Sequence, residues 1–546
     1  MPHSPVPESA APGSPVPDSV VLDSVVPDSS ARGTGARPRR RRGRIAAAAI
    51  ALALAVGAIG TGAYALTRPG DADGAHAAIG VILEPTSLDV RHTPGVAAGQ
   101  ILIDNVVQGL VGIRQGSVSE VVPVLATELP EVSADGREYT FVLRTGVTFH
   151  SGAPLTVDDA VASLHDALGS AEPGRAAVEV AGLDARTVRL TLAEPDREFL
   201  RELAGPAGLI VPASRAAERD RGVRVDSPEF AVDGTGPYAF TSWERGERLT
   251  LTRNADYWGE AGTLATVDFR FLPQGRAAVQ ALKSGEVDVH TALLPSLREE
   301  FAESPDFALE RATGPDVFTL AFNSAKAPLD DPRVRAALSR AVDPAAIIAS
   351  QHGDGAPLGG PITPGEPGYA DLTDVNAYDP DSARQLLSEA GQEHLNLTLT
   401  VPDHYDTAPL DLLKGQFSAV GVALTVRRVE FPVWLEQVYT NHDYQLSYVD
   451  HAETDALANY GDPESYFGYD SPFVRDRLAA ASTAPDAASA AQLRAEAAER
   501  VAADAPAKWL FTYTPTNVVG RHVGGFPSAN TNARINLAGV TVDARS

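Results

Sequence analysis

Cysteine is absent from the 546 residues, which excludes disulfides, thiolate metal sites, cysteine nucleophiles and a lipidated cysteine anchor together. Lysine is scarce, 4 against 41 arginines, a bias we ascribe to genome composition rather than to binding. Positive charge is in deficit: 45 basic against 71 acidic side chains leave a net charge of −26, which disfavours a nucleic-acid partner and favours solubility. The chain contains no G-x-x-x-x-G-K-[ST], so it is not expected to hydrolyse a nucleotide, and neither G-x-S-x-G nor H-E-x-x-H occurs. His451-x-Glu453 lacks the P-C-x-x-C that a zinc deaminase needs, and the 12 histidines are scattered without ligand spacing. Neither an enzyme nor a cofactor is expected.

What is present is enough for more than one core. With 44% hydrophobic residues over this length, two or three domains are expected. Residues 1–44 begin with loose repeats, SPVPES, SPVPDS and VVPDSS, with no aromatic residue and no amphipathic period to offset the entropy of ordering them, so a disordered tail is expected. Its end, Arg37–Arg44, is RPRRRRGR, and residues 45–66 carry no charge. At 1.5 Å per residue such a helix reaches about 33 Å, enough to cross a bilayer with the arginines held on the cytoplasmic side. The alternative is a signal peptide cleaved after Ala63-Tyr64-Ala65, whose small residues suit an A-x-A site. Residues 1–76 hold 8 arginines and 6 acids, so the acidity belongs to the remainder, which either reading places outside the cytoplasm.

The remainder is organised around Asp233–Val289. Gly234 and Gly236 precede Pro237 in a GTGPY run, where positive φ at either glycine would make a tight loop entering a strand. Leu249 and Leu251, then Val267, Phe269 and Phe271, alternate with polar neighbours as half-buried strands do. A helix over 276–283 stops at Gly285, and a strand restarts at Val287. Upstream, Ala77–Val90 reads as a strand leading into a polar loop, and Gly99–Ile113 as a helix. Downstream, Asp331-Pro332, Asp343-Pro344 and Asp379-Pro380 each set a capping carboxylate before a proline at the first helical position. Strands at 395–401 and 422–426 alternate with these helices, which is an α/β pattern.

In their order, GTGPY, RNADYW and LKSGEVDV, with the blocks around Tyr139–His150, FNSAKAPLDDPRVRAALSRAVDPAAI and YDPDSARQLLSEAG, resemble the family 5 extracellular solute-binding proteins, the peptide and nickel receptors of ABC importers. The resemblance covers roughly residues 77–546. It implies a two-lobed periplasmic-binding-protein-like α/β fold of type II with an extra small subdomain in the first lobe. It divides the chain into a first lobe of 77–112, 233–317 and 516–546, an extra subdomain of 113–232 and a second lobe of 318–515. A monomer that captures a peptide or peptide-like solute by hinge closure and delivers it to permease subunits and their ATPases follows from the same resemblance. A tethered solute sensor, or a receptor for a metal chelate or sugar, stays open beside it. The missing lipidated cysteine departs from many Gram-positive members, so the protein is expected either to be anchored at the cell surface through residues 45–66 or to be secreted.

In relatives, a tryptophan- and aspartate-containing loop after a second-lobe strand lines the cleft and meets the ligand's α-ammonium. The corresponding stretch here, Asp443–Tyr469, lacks the tryptophan but offers Asp450, Glu453 and Asp455, with Tyr448 on the strand before them. These acids could instead cap a helix or face solvent. Tyr238, Trp243, Tyr257 and Trp258 are either cleft walls or domain core, Asn323 is expected to brace the crossover strand, and the loop Gly95–Gly99 could offer backbone groups to a ligand. Attachment can be tested directly. An anchor keeps intact protein with membranes after a high-salt wash, whereas recovery of a chain beginning at Leu66 overturns it.

Overall fold

The computed structural model describes residues 75–543 apart from 171–175, 216–231 and 453–454, so the tail, the apolar segment 45–66 and Glu453 lie outside the described residues. No helix among the described residues is long and apolar enough to cross a membrane.

Alternating side chains build the first sheet. Leu249 and Leu251 of strand Arg248–Arg253 stand opposite Phe269 and Val267 of Leu264–Phe271 in antiparallel register, and all four are fully buried. Strand Ala75–Val81 pairs parallel to Leu264–Phe271 on its other side, and the sheet continues through Val289–His290 and Thr516–Gly520 to Phe307–Arg311. The helix Gly275–Ser284 covers one face with Ala278, Val279, Ala281 and Leu282, and ends at Gly285 in the left-handed conformation, φ 74°, that a side chain would strain.

The second sheet runs Ala356–Pro357, Ala507–Thr512, Val317–Phe322, Leu446–His451, Leu395–Pro402 and Val422–Val429. Its central strands are buried on both faces, as a helix-covered sheet requires. The Asp-Pro pairs do what their chemistry suggests: Asp331, Asp343 and Asp379 each accept backbone N–H bonds at the start of helices Pro332–Arg340, Pro344–Ser350 and Pro380–Glu389. A four-stranded antiparallel sheet, Glu131–Val132, Glu138–Val142, Thr187–Thr191 and Glu179–Gly182, packs on helix Val157–Leu168 around its own core of Phe141, Leu164, Val188 and Leu190. Among the described residues the chain passes between the two large sheets twice, from Arg311 to Val317 and from Thr512 to Thr516.

Two sequence expectations change. The helix expected over 99–113 is Ala97–Leu102 alone, because Asp104 takes φ 67° and Asn105 turns its amide onto Ile101 O (2.9 Å) and Ile535 O (2.6 Å), while Val111–Ile113 pairs with Val121–Pro123. Long-range bonds outweigh the local period. The glycines of GTGPY do not adopt positive φ: a Cβ on Gly234 would sit 1.8 Å from Val106 O and one on Gly236 2.2 Å from Asn105 O. They let two backbones touch, with Gly236 N–H donating to Val106 O (3.0 Å) and Tyr238 N–H to Asn105 O (2.9 Å).

His150 closes that junction: Gly234 N–H donates to Nδ1 (3.3 Å) and Nε2 lies 2.9 Å from Gly236 O, a pattern that needs the neutral ring. Burial lowers the pKa of His150 and pushes that of His290 down to about 4. The unfolded chain takes up these protons near pH 6.5, so the stability these rings contribute is complete above about pH 6.5 and is lost as pH falls toward the folded values. Asp104 and Asp196, pushed up by burial, act with the opposite sign. Between about pH 6.5 and 5, His290→Gln should therefore flatten the decline of the melting temperature relative to the parent, and an unchanged slope would clear His290 of this role.

Candidate ligand-binding site

Between the two large sheets lies a cavity of about 440 Å³, in the range of small-molecule sites. On one side its wall is Ile82 and Leu83, which follow the strand Ala75–Val81, then Gly95, Gly99 and Gln100, the stretch Thr291, Ala292, Leu294 and Pro295, and Asn530, Asn532 and Arg534 from the C-terminal segment. On the other side stand Phe318, Gln351, His404, Tyr405 and Asp406, then Phe431, Trp434, Leu435 and Tyr439, then Val449, Asp450, His451 and Ala452, with Tyr513. Ile113, Val118, Arg201 and Ala204–Pro206 contribute from the neighbourhood of the small sheet.

The second-lobe wall is largely aromatic. Phe318 stacks on Tyr448 with centroids 5.0 Å apart and meets Tyr405 and Tyr513 edge-on at 5.3 Å; Phe431 stacks on Trp434 at 5.8 Å. Into this apolar surface two carboxylates are set. Asp450 sits near the end of strand Leu446–His451, its N–H donating to Tyr405 Oη (3.0 Å), and Asp406 follows Tyr405 in the loop after Leu395–Pro402. Burial, with the Asp450 charge adding to it, raises the Tyr405 pKa well above the usual value, so its hydroxyl stays protonated beside the carboxylate. His404 packs on Tyr405 at 4.4 Å and is pushed down to about 4, chiefly by burial and further by Arg428, which leaves a neutral ring on the wall. His451 Nε2 lies 2.8 Å from Tyr466 Oη.

Polar contacts join the rims of the cavity. Ser296 Oγ donates to Asp406 Oδ1 (2.7 Å), and Arg298 and Arg311 from the first lobe both reach Asp354 of the second, whose carboxylate is 5% exposed; the Arg311 contact is 2.5 Å. Arg197, beside the small sheet, donates through Nε and Nη2 to Ala484 O at 3.1 and 2.9 Å. Gly95 lies against Phe431 and Leu435, each 3.8 Å from where its Cβ would stand.

Of the residues singled out from sequence, Asp450 lies on the cavity wall. Asp455 does not: it takes φ 65° before the turn Ala456–Tyr460, and Arg494 holds both its oxygens at 2.7 and 3.3 Å. Tyr448 lies beneath the wall, fully buried, accepting a bond from Gln351 Nε2 (3.1 Å). Tyr238 is core of the first sheet, and Trp243 lies on its edge strand, donating to Glu84 Oε1 (2.9 Å) under a guanidinium from Arg245. Tyr257 and Trp258 both bond Gln108, and Asn323 Nδ2 donates to His442 O (3.0 Å) and Tyr444 O (3.2 Å). Gly95, Val96 and Gly99 do reach the cavity.

Sequence reading missed His404, Tyr405 and Asp406, and it missed Arg534. The first three stand directly after a parallel strand, where α/β sheets place ligand groups, and that rule could have found them. Nothing local marks Arg534.

The sequence profile described as bacterial extracellular solute-binding proteins, family 5 middle, matches residues 120–471. Di/tripeptide-binding protein 2 of Pseudomonas aeruginosa strain UCBPP-PA14 is 27% identical over 390 residues, covering 65% of this chain and 71% of its own. The glutathione-binding protein GsiB of Pectobacterium atrosepticum is 27% identical over 459 residues, 79% of this chain and 86% of its own. Among solved structures, the periplasmic binding protein DppA of Helicobacter pylori with the peptide STSA superposes with a TM-score of 0.78 at 21% identity, over 86% of this chain and 99% of that one. AgaA from A. tumefacien R10 with agropinic acid gives 0.77 at 25% identity, with the same coverage. These neighbours share the two-lobed α/β architecture, and since the profile spans more than half of the sequence, the protein belongs to the bacterial extracellular solute-binding proteins of family 5.

Proposed function

We propose that this chain is the extracytoplasmic receptor of an ABC importer, a monomer that captures a short peptide or peptide-like solute between its lobes and presents it to permease subunits. The observation that carries the reading is the cavity itself: about 440 Å³ walled from both lobes, mostly apolar, with carboxylates at Asp406 and Asp450 to meet a cationic group. Relatives named for di- and tripeptides and for glutathione support it. A non-peptide solute is the second reading, favoured by the likeness to AgaA, whose ligand is agropinic acid. Binding without catalysis predicts that ligand is recovered unchanged after long incubation. Residues 45–66 would hold the protein at the membrane or be removed on export.

Closure would rotate the lobes about the two connections 312–316 and 513–515, ligand contacts to both walls shifting an open population toward the closed one. Small-angle scattering should show a smaller radius of gyration with saturating ligand. Asp354→Asn, which weakens the rim contact to Arg298 and Arg311 without touching the cavity wall, should raise the ligand concentration needed for that compaction. An unchanged radius at saturation would mean a rigid receptor.

Asp450→Asn tests the cationic end. In a closed site, deleting one partner of a buried ion pair typically costs roughly 3–5 kcal/mol, or about two to three and a half decades in affinity, against about 0–1 kcal/mol for an exposed pair. Calorimetry should show that loss for a peptide with a free amino terminus and little change for its N-acetylated form. Equal binding of both peptides by parent and variant would remove Asp450 from ligand recognition.

A further inference from the structure

We propose that Arg534 is a specificity-determining residue that seats a carboxylate of the ligand on the first-lobe side of the cavity, an assignment that rests on the peptide-like reading above. The ionisable wall is sided: Asp406, Asp450 and two histidines come from the second lobe, while the cations, Arg201 and Arg534, come from the opposite side. Arg201 lies 3.3 Å from Glu198. Arg534 is the deeper of the two, its side chain 11% exposed against 27%. Its Nη2 donates to Ala204 O (2.8 Å), and Nη1 stands 3.3 Å from Asp104 Oδ2. Burial raises the Asp104 pKa against the pull of Arg534, so that carboxylate is a costly counter-ion in its place.

The guanidinium is also fixed in advance. The segment around it is tied on both sides by buried amides: Gln100 Nε2 donates to Thr531 O (2.7 Å), Asn105 Nδ2 to Ile535 O (2.6 Å), and Leu537 N–H donates to Asn105 Oδ1 (3.0 Å). Arg534 N–H itself donates to Asn530 O (2.8 Å). An arginine held this way loses little freedom on meeting a ligand, and its planar donor fork matches a carboxylate better than an ammonium does. With Asp450 opposite, the site selects solutes carrying a cationic and an anionic group joined by an apolar body that suits the aromatic wall.

The test uses the full chain and three probes: Ala-Phe, its C-terminal amide, and Asp-Phe amide, which carries its carboxylate on a side chain. The parent should bind Ala-Phe roughly ten- to a hundredfold more tightly than Ala-Phe amide, the range of one hydrogen-bonded charge contact. Arg534→Gln should abolish that preference, and so should Arg534→Gln with Asp104→Asn, which leaves no buried lone carboxylate and guards against misfolding. Tight binding of Asp-Phe amide would show that a side-chain carboxylate also fills the seat. The parent comparison needs no variant: equal affinity for acid and amide overturns the assignment, as does a preference that survives in both variants while the peptide reading stands. If the parent binds none of the three, the peptide reading fails and the assignment falls with it.

Discussion

Two short connections carry the chain between the large sheets, and the cavity lies between those sheets. Residues 312–316 and 513–515 separate strands that lie in different sheets. The first is not slack. Asp316 is 1% exposed, Asn532 Nδ2 donates to its Oδ1 at 2.6 Å, and Tyr513 N–H donates to its carbonyl at 2.8 Å, so the two connections and the C-terminal segment are stitched at one point. Thr313 and Asn530 exchange further backbone bonds with that segment, Thr313 N–H reaching Ser528 O and Asn530 N–H reaching Thr313 O. The same loop carries Arg534. The rotation proposed above would thus pivot beside a wall of the cavity rather than far from it.

Away from these connections, the two sides meet among the described residues mainly through polar contacts, Ser296 with Asp406 and the two arginines with Asp354, with Gly95 against Phe431 and Leu435, while the large apolar clusters each stay on one side. That choice has a physical consequence. On the proposed closure, polar rim contacts that exchange for water at modest net cost would keep the free-energy difference between open and closed forms small, so that a ligand's differential affinity would decide it. An apolar seam of the same extent would hold the cleft shut with or without ligand.

The elements set by local chemistry were legible from sequence. The period-2 runs at Leu249–Leu251 and Val267–Phe271 are buried strands, and the three Asp-Pro pairs start helices. Elements set by distant partners were not. Asn105 breaks an apparent helix because its amide finds Ile535, 430 residues away. GTGPY was placed correctly as a strand entrance, but its glycines serve the backbone of Asn105 and Val106 instead of a turn conformation. In the acidic stretch, Asp450 and Asp455 look alike in sequence, and what separates them is Arg494, 39 positions on, which holds Asp455 away from the wall.

The charge distribution completes the argument. A chain with a net charge of −26 would repel an anionic solute at long range, yet that field is screened within about 8 Å at physiological salt, whereas contacts inside a closed cavity are not. What would decide recognition in such a closed cavity is the set of fixed partners left when water is gone. His404 is neutral, Tyr405 and Tyr513 keep their protons, and most of the second-lobe wall is ring surface, so the charged ends of a solute have few places to go. A charged group left without one of them would be stranded in a low-dielectric site at a cost of several kcal/mol. On the proposed reading, the sparse placement of Asp406 and Asp450 against Arg201 and Arg534 would therefore do more to exclude wrong solutes than to add affinity for the right one, and an aromatic wall suited to many apolar bodies would still serve a selective receptor.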